Sequence, residues 1–143
     1  MLMALSVGIP IMLVCLAIQA GLTGVAFKFY LRHIPVERTH LSMWRNIRLL
    51  MAVLLILMLG NVLQIATWGL LFLTMGEFTE FSVAVYHAAV NYSSLGYGDI
   101  VMSDSWKILG PLEAVNGVLM CGMTAGVLMG ILQAQLKQAM VDS

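Results

Sequence analysis

Ser94-Leu95-Gly96-Tyr97-Gly98-Asp99 is the stretch on which the reading of this chain turns. Gly96 and Gly98 flank a tyrosine. Glycine reaches backbone dihedrals that other residues avoid, so a glycine at every second position lets carbonyls along the strand turn toward one side. A glycine-x-glycine alone occurs in many soluble turns. Here the neighbouring sequence gives it meaning.

Just before it, Phe81, Val83, Ala84, Val85, Ala88, Ala89 and Val90 predict a helix of about three turns over 79–92, with Thr79 as N-cap. That is too short to cross a bilayer, which takes about 20 apolar residues. Three other stretches are long enough: Ser6 to Phe27, Leu49 to Gly76, and Ile108 to Gln135, the last carrying only Glu113 as an ionisable group. Of the 143 residues, 61% are hydrophobic and only 10% charged, against about 25% charged in a soluble domain. The expected fold is therefore an all-α membrane protein with three transmembrane helices. The short helix then enters and leaves from one side. Irregular backbone at that depth is tolerated only where it is buried in protein or lines a water-filled cavity.

Charge placement orients the chain. Lys28, Arg32, Arg38, Arg45 and Arg48, with Glu37 as the one acid, lie between the first two spans. The segment from Glu77 to Asp104 holds Glu77, Glu80, Asp99 and Asp104 and no Lys or Arg. The positive-inside rule puts the basic loop in the cytoplasm. The N-terminus and the 77–104 segment are then expected outside, the C-terminus inside. The basic residues suit anionic lipid headgroups. Pro35 is expected to end the first helix or hold the turn after it, with the second beginning near Leu41 or Ser42. The first segment lacks a basic start, which argues against a cleaved signal. Cys15 and Cys121 lie in separate spans and read as packing residues.

A row of carbonyls repeated by symmetry around an axis can replace the hydration shell of an ion. One chain cannot surround that axis, so the chemistry asks for a ring of copies. At this point the segment is seen to resemble the pore loop of the potassium channel superfamily, whose pattern is Thr-Val-Gly-Tyr-Gly-Asp. Ser94 keeps the hydroxyl of the family's threonine, and Leu95 an apolar side chain. The resemblance runs from about Leu41 to Gln135. It implies a tetrameric pore with one selectivity filter per chain, 94–98, and an additional N-terminal helix that the two-helix channels lack. It also implies K+ held by the carbonyls of Ser94, Leu95, Gly96 and Tyr97, with Gly98 completing the filter, and no other cofactor. The implied organisation is 1–40 for the added helix and basic loop, then 41–136 for the pore domain, then a short cytoplasmic tail, 137–143. Within the pore domain the outer helix takes 41–76, the pore helix 79–92, the filter 94–98 and the inner helix 105–136. Passive potassium conduction in a plasma or inner membrane is the implied activity. A weakly selective cation channel and a non-conducting accessory subunit stay open beside it. No residue constellation suggests an enzyme.

Many relatives place a carboxylate in the pore helix, paired with the aspartate after the filter. The matching position is Val90, so Asp99 needs another partner. Tyr86 or Tyr92 is expected to bond the filter region, with Asn91 and Ser93 capping backbone or shaping the filter's rear. Glu113, with Asn116 a turn later, is the candidate brace replacing the missing carboxylate; facing a water-filled region is the other role. An intramembrane carboxylate is a functional-site hypothesis by default. Asp104 or Ser105 is expected to cap the inner helix. Gly117 and Gly122 are candidate hinges, and Thr124 and Gly126 candidates for the cavity wall. Only eight residues follow Gln135, so gating is expected to come from the helices, the basic loop, the filter, lipid or a separate regulatory subunit. The first helix has no charge before Lys28, and voltage gating through it is not expected. No nucleic-acid partner is expected.

Overall fold

The computed structural model describes residues 2–33 and 43–141. Four helices make up the described chain: α1 (Leu2–His33), α2 (Met43–Thr74), α3 (Phe81–Tyr92) and α4 (Leu109–Val141). Three of them are long and apolar enough to cross a membrane, over Leu2–His33, Trp44–Thr74 and Leu109–Lys137. The chain is a multi-pass membrane protein with an all-α fold. Pro35, Glu37, Arg38, His40 and the expected helix start at Leu41 or Ser42 lie outside the described residues.

α3 runs short between α2 and α4 and packs on both, while α1 packs on α2 and α4. The placement of α1, which the amino-acid pattern left open, is thus against its own chain. Trp68 and Phe72 of α2, Ala84, Ala88 and Tyr92 of α3, and Leu109 and Met120 of α4 close the upper core, with Ala4 and Cys15 from α1. A second cluster lies at the other end, where Ala26 and Tyr30 meet Val53, Leu57 and Ile131. Large apolar side chains on the outer faces stay exposed, among them Leu55, Val62, Leu70 and Val118. Lipid is as apolar as those side chains, so close packing and interhelical hydrogen bonds, not exclusion of water, hold such a bundle.

Close packing is tightest at Gly117. A methyl group there would collide with the carbonyl oxygen of Tyr92. Only a glycine lets α4 press on the last turn of α3.

The element ends differ from the expected ones for local reasons. α2 ends at Thr74, because Gly76 takes φ 76° and its N–H bonds the Leu73 carbonyl while Glu77 N–H bonds that of Phe72. This is a Schellman closure, which needs a left-handed residue just past the helix. The N-cap of α3 is Glu80, not Thr79, and it makes no side-chain cap bond. The inner helix begins at Leu109 rather than 105. Trp106 and Lys107 N–H groups both bond the Ser103 carbonyl, and Leu109 N–H bonds that of Trp106, so 104–108 form tight turns. Neither Asp104 nor Ser105 caps the helix; Asp104 bonds Lys107 Nζ at 2.8 Å. At the far end α4 continues to Val141, so the expected tail is helical over 137–141.

Candidate functional site

The 94–99 segment hangs from the end of α3. Ser94 N–H bonds the Asn91 carbonyl at 2.8 Å, and Leu95 N–H bonds that of Val90 at 3.0 Å. These are again the two bonds of a Schellman closure. Ser94 occupies its left-handed position with φ 59°, the one non-glycine with positive φ among the described residues. Gly96 N–H also reaches the Val90 carbonyl, at 3.3 Å. Gly96 then takes φ 57° and Gly98 φ 71°, while Leu95 and Tyr97 between them do not have positive φ. Left-handed residues therefore alternate with others over 94–98. Leu95 is 59% and Tyr97 67% exposed, so neither side chain finds cover within its own chain.

The far end of the segment is tied back to α3 by two side chains one position apart. Tyr86 Oη donates to Asp99 Oδ2 at 2.8 Å. His87 Nδ1 meets the Ile100 carbonyl at 3.1 Å, and its Nε2 meets Asn91 Nδ2 at 2.9 Å. A carbonyl only accepts and an amide nitrogen only donates. His87 therefore carries its proton on Nδ1 and is neutral. Its ring is wedged between Phe72 and Phe78, with centroids 5.6 and 5.0 Å away. Burial pushes the His87 pKa down, against the opposing pull of the Ile100 carbonyl and of the Asp99 and Glu77 carboxylates. Farther on, Glu77 takes Ser103 in a fork: Ser103 N–H donates to Oε2 and Ser103 Oγ to Oε1, each at 2.7 Å. Behind the segment lies a cavity of about 200 Å³ whose lining includes His87, Asn91, Gly96, Gly98, Lys107 and Gly110.

Tyr92 points away from all this, back into the bundle. Its hydroxyl reaches Gln64 Oε1 and Asn61 Oδ1, both at 3.1 Å. Gln64 Nε2 donates to Gln19 Oε1 at 2.8 Å, and Gln19 Nε2 to Thr124 Oγ1 at 3.0 Å. Asn61 Nδ2 closes the ring on Thr124 Oγ1 at 3.5 Å. Every one of the four helices contributes. Thr124, expected on the cavity wall, has its hydroxyl in this ring, where it also donates to the Met120 carbonyl at 3.0 Å. Ser93 Oγ likewise serves its own helix, bonding the Ala89 and Val90 carbonyls.

Glu113 is fully buried and neither carboxyl oxygen meets a partner in hydrogen-bond geometry. The Asn91 side chain neighbours the Glu113 carboxyl. Tyr86 and Ser93 are engaged elsewhere. Gly122 and Gly126 have nothing within 4 Å of where a side chain would begin, which leaves one exposed stripe of α4 bare.

The sequence reading passed over His87, Glu77, Gln19, Asn61 and Gln64. The three amides were visible in it, because polar side chains inside apolar spans stand out. His87 and Glu77 gave no such signal, since the Ile100 carbonyl and Ser103 that they hold lie in irregular chain far from them in sequence. No group of three His, Cys, Asp or Glu residues placed to hold a metal exists among the described residues.

Residues 51–134 match the family model described as ion channel. Neither a curated protein nor a solved structure matches the chain.

Proposed function

The chain belongs to this ion channel family, and from that premise we propose that it conducts potassium ions passively across a membrane through a pore lined by four copies of the 94–98 segment. The observation that carries the potassium reading is the alternation of left-handed residues at Ser94, Gly96 and Gly98. Alternating backbone hand turns successive carbonyls to one side, and a ladder of such carbonyls from several copies can stand in for the water around a bare cation. In this reading the carbonyls of Ser94, Leu95, Gly96 and Tyr97, with the Ser94 hydroxyl, coordinate K+, and Gly98 completes the ladder.

Fourfold symmetry suits the geometry. The exposed side chains of Leu95 and Tyr97 would find packing partners in neighbouring copies. The C-terminal end of α3 aims its partial negative charge at the centre of such a ring, which favours a cation there. The bare Gly122 and Gly126 stripe would line the passage below. Charge placement supports a filter facing outside, with the basic 28–48 segment in the cytoplasm.

The reading is tested by flux of K+ and Na+ from liposomes holding the purified chain, with native mass spectrometry for the number of copies. Potassium flux well above sodium flux, blocked by barium and lost in Gly96→Ala, is the expected result. Equal flux of the two ions, or none, overturns it.

A further inference from the structure

Gln19 and Gln64 are each 0% exposed, at the middle of apolar helices. An unpaired amide in hydrocarbon is costly, so a buried amide persists there only with partners. Their partners form a directed chain. The Tyr92 hydroxyl donates to Gln64, Gln64 to Gln19, Gln19 to Thr124, and Thr124 to the Met120 carbonyl. Turning either amide alone would set like against like, so the two glutamines hold their orientation together. Gly60 makes room for it: a methyl group there would lie 2.6 Å from Gln19 Oε1.

Tyr92, where this chain begins, is the last residue of α3. It is gripped twice, by its hydroxyl in the ring and by its carbonyl against Gly117. Two residues earlier is the Val90 carbonyl, which holds the Leu95 and Gly96 amides. Moving Tyr92 moves that carbonyl and the segment suspended from it.

We propose that Gln19, on the added helix α1, is a positioning residue for the 94–98 segment, acting through Gln64 and Tyr92. α1 is then part of the conduction machinery and not only a membrane anchor. The proposal rests on reading 94–98 as the ion-binding row.

The test uses the full chain in lipid nanodiscs, with amide hydrogen exchange of 93–98 and barium block of K+ flux as the two readouts. Gln19→Leu and Tyr92→Phe are each expected to raise exchange at Leu95 and Gly96 by about tenfold, the scale of one lost buried hydrogen bond. Each should also shift barium block in the same direction. The two substitutions together should do no more than the larger of them alone, as members of one chain behave. Leu13→Ala, on the exposed face of α1, should change neither readout. Should Gln19→Leu fail to assemble, Gly60→Ala displaces the same amide without removing a partner and should give the same signature. Unchanged exchange in Gln19→Leu or Gly60→Ala beside a changed Tyr92→Phe overturns the proposal, as does strict additivity. Exchange needs no ion flux. A wild-type chain that passes no ions but shows the coupled exchange defeats the functional reading and leaves the positioning role standing.

Discussion

Tyr86 Oη donates a 2.8 Å hydrogen bond to Asp99 Oδ2, joining the middle of α3 to the residue that follows the last glycine of the 94–98 segment. It supplies the partner that Asp99 lacks where the family's pore-helix carboxylate is replaced by Val90. The bond shifts the Tyr86 pKa upward, with the Asp99 carboxylate accepting its proton as the leading cause. A raised value means the contribution is complete below the ordinary tyrosine pKa of 10.0 and disappears as pH climbs through the raised one. Barium block of the reconstituted chain should therefore hold steady up to about pH 10 and fail above it. Tyr86→Phe should weaken block at neutral pH and flatten that alkaline limb. An unchanged alkaline limb in Tyr86→Phe would detach the bond from the filter.

His87 gives the opposite limb. Its depressed pKa means that its contribution is present above the ordinary value of 6.5 and is lost as pH falls through the lowered one. A second proton on Nε2 would face the Asn91 amide donor. Acid applied from the filter side should lower K+ flux at pH values below 6.5, and His87→Phe should remove that sensitivity while lowering flux at neutral pH. Glu77 and Asp99 act on His87, and Lys107 lines the same cavity. Flux titrated alongside assigns the limb to His87 if Lys107→Gln keeps the acid response and Glu77→Gln moves it to lower pH, since the Glu77 carboxylate raises the His87 pKa.

Glu77 holds Ser103 through both carboxylate oxygens. Glu77→Ala leaves the exposed Ser103 N–H and hydroxyl to water. A loss of about 1–2 kcal/mol is expected, read as a lower melting temperature of the assembled protein. The loss should shrink in a Ser103→Ala background, where one of the two bonds is already gone.

Gly117→Ala would press a methyl group into the Tyr92 carbonyl. Overpacking of this kind costs about 1–3 kcal/mol, so thermal melts should show a clear loss of stability. Gly122→Ala and Gly126→Ala meet nothing within their own chain. They should melt like wild type, and in the proposed assembly should alter single-channel conductance instead. A Gly117→Ala melt equal to wild type would mean that α4 does not press on α3.

Glu113 has two oxygens without partners in a fully buried site. Removing an unsatisfied buried polar group is neutral or stabilising, by about 1–3 kcal/mol at most. Glu113→Gln and Glu113→Leu are expected to melt at or above the wild-type temperature with the K+ over Na+ preference intact. Loss of selectivity in both would restore the brace role that its position in the sequence suggested.

The amino-acid sequence by itself determined the three long helices, the short fourth one and the place of the 94–99 segment. Each of these follows from local properties: runs of apolar residues long enough for a bilayer, a run too short for one, and glycines at alternate positions. Side-chain partners were a different matter, because they depend on how helices distant in the chain are rotated against one another. Tyr86 and Tyr92 had equal standing as filter supports until α3 was set in place. Tyr86 then faced Asp99, while Tyr92 faced Gln64 and Asn61. Thr124 faced Gln19 for the same reason. Only the tertiary structure decided that α1 lies on α2 and α4 of its own chain, where its one buried amide completes a ring that ends at the base of the 94–98 segment. An apolar helix can satisfy its own backbone anywhere in lipid, so its sequence carries no address except the polar side chain that must find a partner.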